Sequence, residues 1–163
     1  MWRRLLGVLD YAHAHGVVHG AVLPHNVLID PAHGVVLAGW SASVRAVGGA
    51  VPHIPVMDRG HRDWYPPGVP AREPAHPGVD VAMAARTMLR LLSSPSHTPP
   101  GSVPPEIRTH LLGCAHVDSA LLALRSFDRL IERLWGPRTY HPFTMPGRAE
   151  FDYRTSEQTE AEK

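Results

Sequence analysis

Between Ser41 and Val79, proline and glycine recur so densely that no regular element of ordinary length fits. Gly48, Gly49, Pro52, Pro55, Gly60, Pro66, Pro67, Pro70, Pro74 and Pro77 break any period that begins there. Each such residue either removes a backbone donor or favours a turn conformation, so the stretch reads as one long irregular connection. In a compact domain, a connection of this kind is usually functional or mobile. Whatever regular structure the chain forms must therefore lie on either side of it.

On the N-terminal side, Leu5, Leu6, Val8, Leu9 and Ala12 follow helical spacing, and Gly16 suits the end of that helix. "VVHGAVLP" then reads as a loop. "NVLID" and "VVLAGW" are short apolar runs separated by Pro31-Ala32-His33-Gly34, a pattern that predicts a two-stranded hairpin. On the C-terminal side, Asp80 opens "DVAMAARTMLRLL", whose alanines let neighbouring elements approach closely. "SSPSHTPPGS" is a second linker. Pro104 and Pro105 stand where a helix can begin, continued by "EIRTHLLGCA". "SALLALRSFDRLIERLWG" predicts a last helix with Leu121, Leu124, Phe127, Leu130, Ile131 and Leu134 on one side. "PRTYHPFTMP" reads as a segment packed along the surface. The expected class is mainly α with a small β-hairpin. One domain spans 1–148, its irregular loop about 41–79, and residues 149–163 form a disordered tail.

Composition removes several functions. The formal net charge of +1 offers no electrostatic case for nucleic acid or for an anionic membrane. No apolar run reaches the roughly 18 residues that span a bilayer, and "MWRRLLGVLDYAH" lacks the long apolar core of a signal peptide. A lone cysteine, Cys114, forms no internal disulfide and suits a reducing compartment, so a cytoplasmic setting is expected. Cys114 lies in an apolar stretch and reads as a buried small hydrophobe. Twelve histidines invite a metal reading, but no cysteine cluster accompanies them, and they read as scattered surface or loop residues with no metal site.

The stretch from Tyr11 to Trp40 carries the most specific pattern. "YAHAHGVVH" leads into "HGAVLPHN", then the hairpin, then "AGW". Further on stand "WYPPG", "GVDVAMAARTMLRLL" and "VPPEIRTHLLGCAHVDS". In order and spacing this series, over about residues 4–135, resembles the C-terminal lobe of the protein-kinase-like fold. That family reads H-R-D-x-K-P-x-N, a hairpin, D-F-G, A-P-E and an Asp opening a buried helix. The resemblance implies that His19 and Asp80 are structural. The Asp80 carboxylate would accept backbone hydrogen bonds from the catalytic loop and fix its shape.

The same resemblance implies a loss of chemistry. Gly20 replaces the Arg that reads activation-loop phosphate. Ala21 replaces the catalytic Asp, Leu23 the Lys that neutralises the transferred phosphoryl group, and Gly39 the Asp that holds magnesium. Asn26 remains, as a magnesium and nucleotide contact or as a residue capping its own turn. Phosphoryl transfer depends on positioning and on balancing negative charge, and an amide alone is a poor magnesium site. Gly68 stands where the Glu of A-P-E would be, with Leu121 or Leu122 at its Arg partner's position and Arg125 nearby.

The sequence contains no glycine-rich loop, strand lysine, partner Glu or hinge, and Met1 is expected to lie inside the first helix. The expectation is a catalytically inactive, pseudokinase-like lobe lacking the N-terminal lobe and acting as a protein-binding or scaffold module. It would use no cofactor, ATP and magnesium entering only if an N-terminal lobe is supplied. A protein partner would cover the exposed inter-lobe face, which Trp2 would join unless it is simply packed. The alternative is a fragment of a serine/threonine or small-molecule kinase that binds ATP only with its missing N-lobe. His19-Gly20 and Gly39-Trp40 resemble the small-molecule dialect, H-G-D and D-W, equally well. A third reading is a helical domain of other ancestry, in which "NVLID" and "VVLAGW" need not pair. Asp10, Asp30, Asp58 and Asp63 with histidines could form hydrolase-like sets, but no nucleophile elbow supports them.

Overall fold

A computed structural model describes residues 1–30, 34–45, 47, 50–93 and 103–137. Over these residues the protein is mainly helical, with two small antiparallel sheets. Helix α1 runs Trp2–Ala14, one turn longer at its start than the leucine spacing predicts. Its buried stripe is Trp2, Leu5, Leu6, Leu9 and Ala12. Trp2 is packed rather than surface-forming, and its Nε1–H donates to His110 Nε2 at 3.3 Å. Gly16 sits in the left-handed region (φ +70) just past the helix, as a chain-reversing glycine does.

Two short strands were hidden in the sequence. Strand β1, Val17–Val18, pairs antiparallel with β4, Val44–Arg45, where a loop and the irregular stretch were expected. Strands of two residues are too short to show a period. The predicted hairpin is present as β2, Val27–Ile29, and β3, Val35–Leu37, in the register Val27↔Leu37, Leu28↔Val36, Ile29↔Val35. Its turn at Pro31-Ala32-His33 lies outside the described residues, as do the second linker from Ser94 to Ser102 and everything beyond Pro137, including the expected tail. A short 3-10 turn at Trp40–Ala42 precedes β4, and the described residues from 50 to 76 are irregular apart from a second 3-10 turn at Arg59–Trp64.

Helix α2, Pro77–Leu92, is the centre of the fold. It begins at Pro77 rather than at Asp80, because proline at the first helical position gives up only a donor that the helix would leave unpaired. Asp80 then falls in the first turn. Gly78, Val79, Val81, Ala82, Met83, Ala84 and Ala85 are all buried, and α2 packs against α1, the following helix α3 (Pro105–Gly113) and the last helix α4 (Ala120–Trp135). The small side chains permit those close approaches from several directions.

Helix α3 ends at Gly113 and tightens into a 3-10 turn, Cys114–His116. Cys114 is buried in that turn, and burial pushes its thiol up to about 11, which leaves it without nucleophilic character at neutral pH. Ser119 caps α4 by accepting from Leu122 N–H. Of the predicted α4 stripe only Leu130 is buried, while Leu121, Leu124, Phe127, Ile131 and Leu134 are half-buried and Ala120 and Ala123 make the tight contacts.

Because Ala84 is fully buried where α2 meets its neighbours, Ala84→Leu should force those elements apart. We expect a loss of about 1–3 kcal/mol in urea unfolding, the usual cost of overpacking.

Candidate functional site

The site is the loop from His19 to Asn26, together with Gly39 and the segment that crosses it at Ile54–Tyr65. Asp80, completely buried, fixes the loop from below. Its Oδ2 accepts the His19 N–H at 2.7 Å, and its Oδ1 accepts the Gly20 N–H at 2.8 Å. A third donor reaches it from α1, His13 Nε2 at 2.9 Å. A buried carboxylate is tolerated only when donors surround it, and here α1, the loop and α2 meet on one side chain.

His19 is buried beside it. Its Nδ1 accepts the Ala21 N–H at 3.1 Å and its Nε2–H donates to the Ala38 carbonyl at 2.8 Å. Both ring nitrogens are thereby used by a neutral imidazole. Burial holds its pKa below the ordinary value, against the opposing pull of Asp80. Trp40 packs edge-on against the ring, with centroids 4.5 Å apart. A second tie joins the loop to α2, where Thr87 Oγ1 donates to the Val22 carbonyl at 3.0 Å and accepts from Trp64 Nε1 at 3.2 Å.

Above this frame the groups are neutral. Ala21 and Leu23 are buried, so position 23 is part of the core rather than a place for an ammonium. Asn26 Nδ2 donates to the Ala21 carbonyl at 2.9 Å. Gly39 is left-handed (φ +77), and a Cβ added there would fall 2.6 Å from Asn26 Nδ2. Gly20 is similarly confined (φ +74), with the Ala42 carbonyl oxygen 2.9 Å from an added Cβ. At Gly68 a Cβ would collide with the Glu73 carboxylate, while Leu122 and Arg125 on α4 are exposed.

Ala21, Leu23, Asn26 and Gly39 line a recess of about 230 Å³, closed on its other side by Val56, Asp58 and Tyr65. Asp58 is the one acidic residue in that lining. It was named in the sequence only as one of several acids lacking a supporting motif. Its carboxylate turns to His25 and His61 rather than pairing with Asn26. Oδ2 lies 3.8 Å from His25 Nε2 and 3.3 Å from His61 Nδ1, while Oδ1 accepts the Gly60 N–H at 2.7 Å. The Gly60 hydrogen bond holds the Asp58 carboxyl below its ordinary value; desolvation opposes it, and the His61 and His25 imidazoles each add a lesser lowering effect. Asp58 and His61 stand three apart in the sequence, but His25 joins them only through the fold, so spacing alone could not show the trio.

No protein-family model and no curated protein matches the chain. Among the described residues, no helix is long and apolar enough to cross a membrane.

Two expectations follow. Asp80→Ala would strand the His19, Gly20 and His13 donors; denaturant unfolding should show a loss of about 3–5 kcal/mol, with Asp80→Asn intermediate. Gly39→Ala should cost about 1–2 kcal/mol for the left-handed backbone alone and more through Asn26. Adding Asn26→Ala should give back the steric part, so the double variant is more stable than the sum of the two losses predicts.

Proposed function

We propose that this chain is a protein-kinase-like C-terminal lobe that performs no phosphoryl transfer and serves as a protein-binding or scaffold module. One observation carries the reading: the loop is held in shape from beneath by Asp80, while the positions assigned to charged chemistry hold uncharged residues. Gly39 is left-handed and a Cβ there would meet the Asn26 amide, so a carboxylate side chain at this position would be strained and would have to displace that amide. Asn26 Nδ2 donates to the Ala21 carbonyl, which leaves one neutral amide oxygen, a poor magnesium ligand by itself. Transfer of a phosphoryl group needs cations, or carboxylates that hold cations, around the developing charge. Ala21, Leu23 and Gly39 supply neither.

The pairing of β2 with β3 supports the same reading over a helical domain of other ancestry, which does not require that hairpin. Binding rather than catalysis is supported by the hairpin's outer face. Leu28 and Val36 are cross-strand partners, and each is 50% exposed. Ile29, at 45%, extends the apolar surface at the strand end. A protein partner that laid apolar side chains on this face would remove it from water.

A thermal-shift titration with ATP and magnesium tests the reading. A ligand that binds only the folded state must raise the melting temperature, and we expect no shift and no transfer of labelled γ-phosphate to protein or water. Saturable stabilisation that is lost in Asn26→Ala, or phosphate transfer lost in the same variant, would overturn it.

A further inference from the structure

We infer that His25, Asp58 and His61 form a binding site for a divalent transition-metal ion, with Zn²⁺ the best match to the donors. The three side chains come from two separate parts of the chain, and their donor atoms all lie within 4.8 Å of one another. Zinc binds imidazole nitrogen and carboxylate oxygen at roughly 2.0–2.2 Å, so two ligands of one tetrahedral ion stand about 3.4 Å apart. The His61–Asp58 separation of 3.3 Å already has that value. The His25–Asp58 separation of 3.8 Å reaches it by a small rotation of a side chain that is half exposed and free to make it.

The arrangement is pre-set by its surroundings. Asp58 uses Oδ1 to accept from Gly60, which leaves Oδ2 turned toward the two rings. The Asp58 N–H donates to Tyr65 Oη at 3.0 Å, fixing the backbone from the other side. The His61 ring packs edge-on against Trp64 at 5.4 Å, and Trp64 is anchored to Thr87 on α2. Supporting contacts of this kind orient a ligand before the ion arrives.

A second observation points to a ligand. His61 Nδ1 is buried and, among the described residues, makes no hydrogen bond. It stands near Asp58 Oδ2 without the alignment of a hydrogen bond. An ion between the two would satisfy the nitrogen lone pair and the carboxylate at once. Two imidazoles and a carboxylate suit zinc, and a three-ligand set leaves a coordination position for water or for a ligand in the recess that His25 and Asp58 border. Magnesium is disfavoured, since it demands oxygen ligands and keeps its waters. This inference does not depend on kinase ancestry, and the two stand or fall separately.

Isothermal titration of the full chain with ZnCl₂ tests the site, with Co²⁺ as a spectroscopic probe. The expected result is one tight equivalent and visible Co²⁺ bands of a four-coordinate nitrogen–oxygen site. His25→Ala, His61→Ala and Asp58→Asn should each weaken that equivalent at least about tenfold, the scale seen even for outer-shell changes. His15→Ala and His53→Ala, changes at histidines outside the trio, should leave it intact. Circular dichroism separates lost binding from lost folding. Equal affinity in wild type and the three site variants, or only weak binding that every histidine variant reduces alike, would overturn the proposal in favour of diffuse zinc capture by surface histidines.

Discussion

The carboxylate of Asp80 is the constraint around which the rest is arranged. A charged group taken fully out of water is costly unless donors replace its hydration, and here the donors are backbone amides of a loop and an imidazole of α1. The loop is thereby tied to the first turn of α2. Gly20 and Ala21 need no polar side chains of their own, because their backbone groups make the contacts, to Asp80, His19 and Asn26. His19 extends the same logic upward by joining Ala21 to Ala38, which ties the loop to the residue that follows the hairpin.

Helix α2 makes this possible through its small residues. Ala82, Ala84 and Ala85 bring neighbouring backbone close on several faces, and Thr87 adds a second polar tie to the loop through the Val22 carbonyl. Surface pairs contribute little by comparison. Arg3 and Asp128 meet at 2.8 Å between α1 and α4, but both are about two-fifths exposed and solvent screens the attraction.

The elements with a full period were legible in the sequence: the leucines of α1, the alanine-rich α2, and the paired runs of the hairpin. What escaped detection was short or non-local. Val17–Val18 and Val44–Arg45 are strands only because they find each other across the chain. Trp2 could be read as surface or core until α3 supplied His110. At the candidate site, His19, Asn26, Gly39 and Asp80 were marked by their order along the chain. The steric meeting of Gly39 with Asn26 was not, because residue identities do not encode the distance between two backbones. The Asp58 cluster depended on the course of an irregular segment, where propensity has least to say.

That meeting of Gly39 and Asn26 also bears on any redesign of the recess. Position 39 is left-handed, so an acidic side chain placed there would strain the backbone and would also have to turn the Asn26 amide aside. A charge is added to this recess only by rebuilding the turn that borders it.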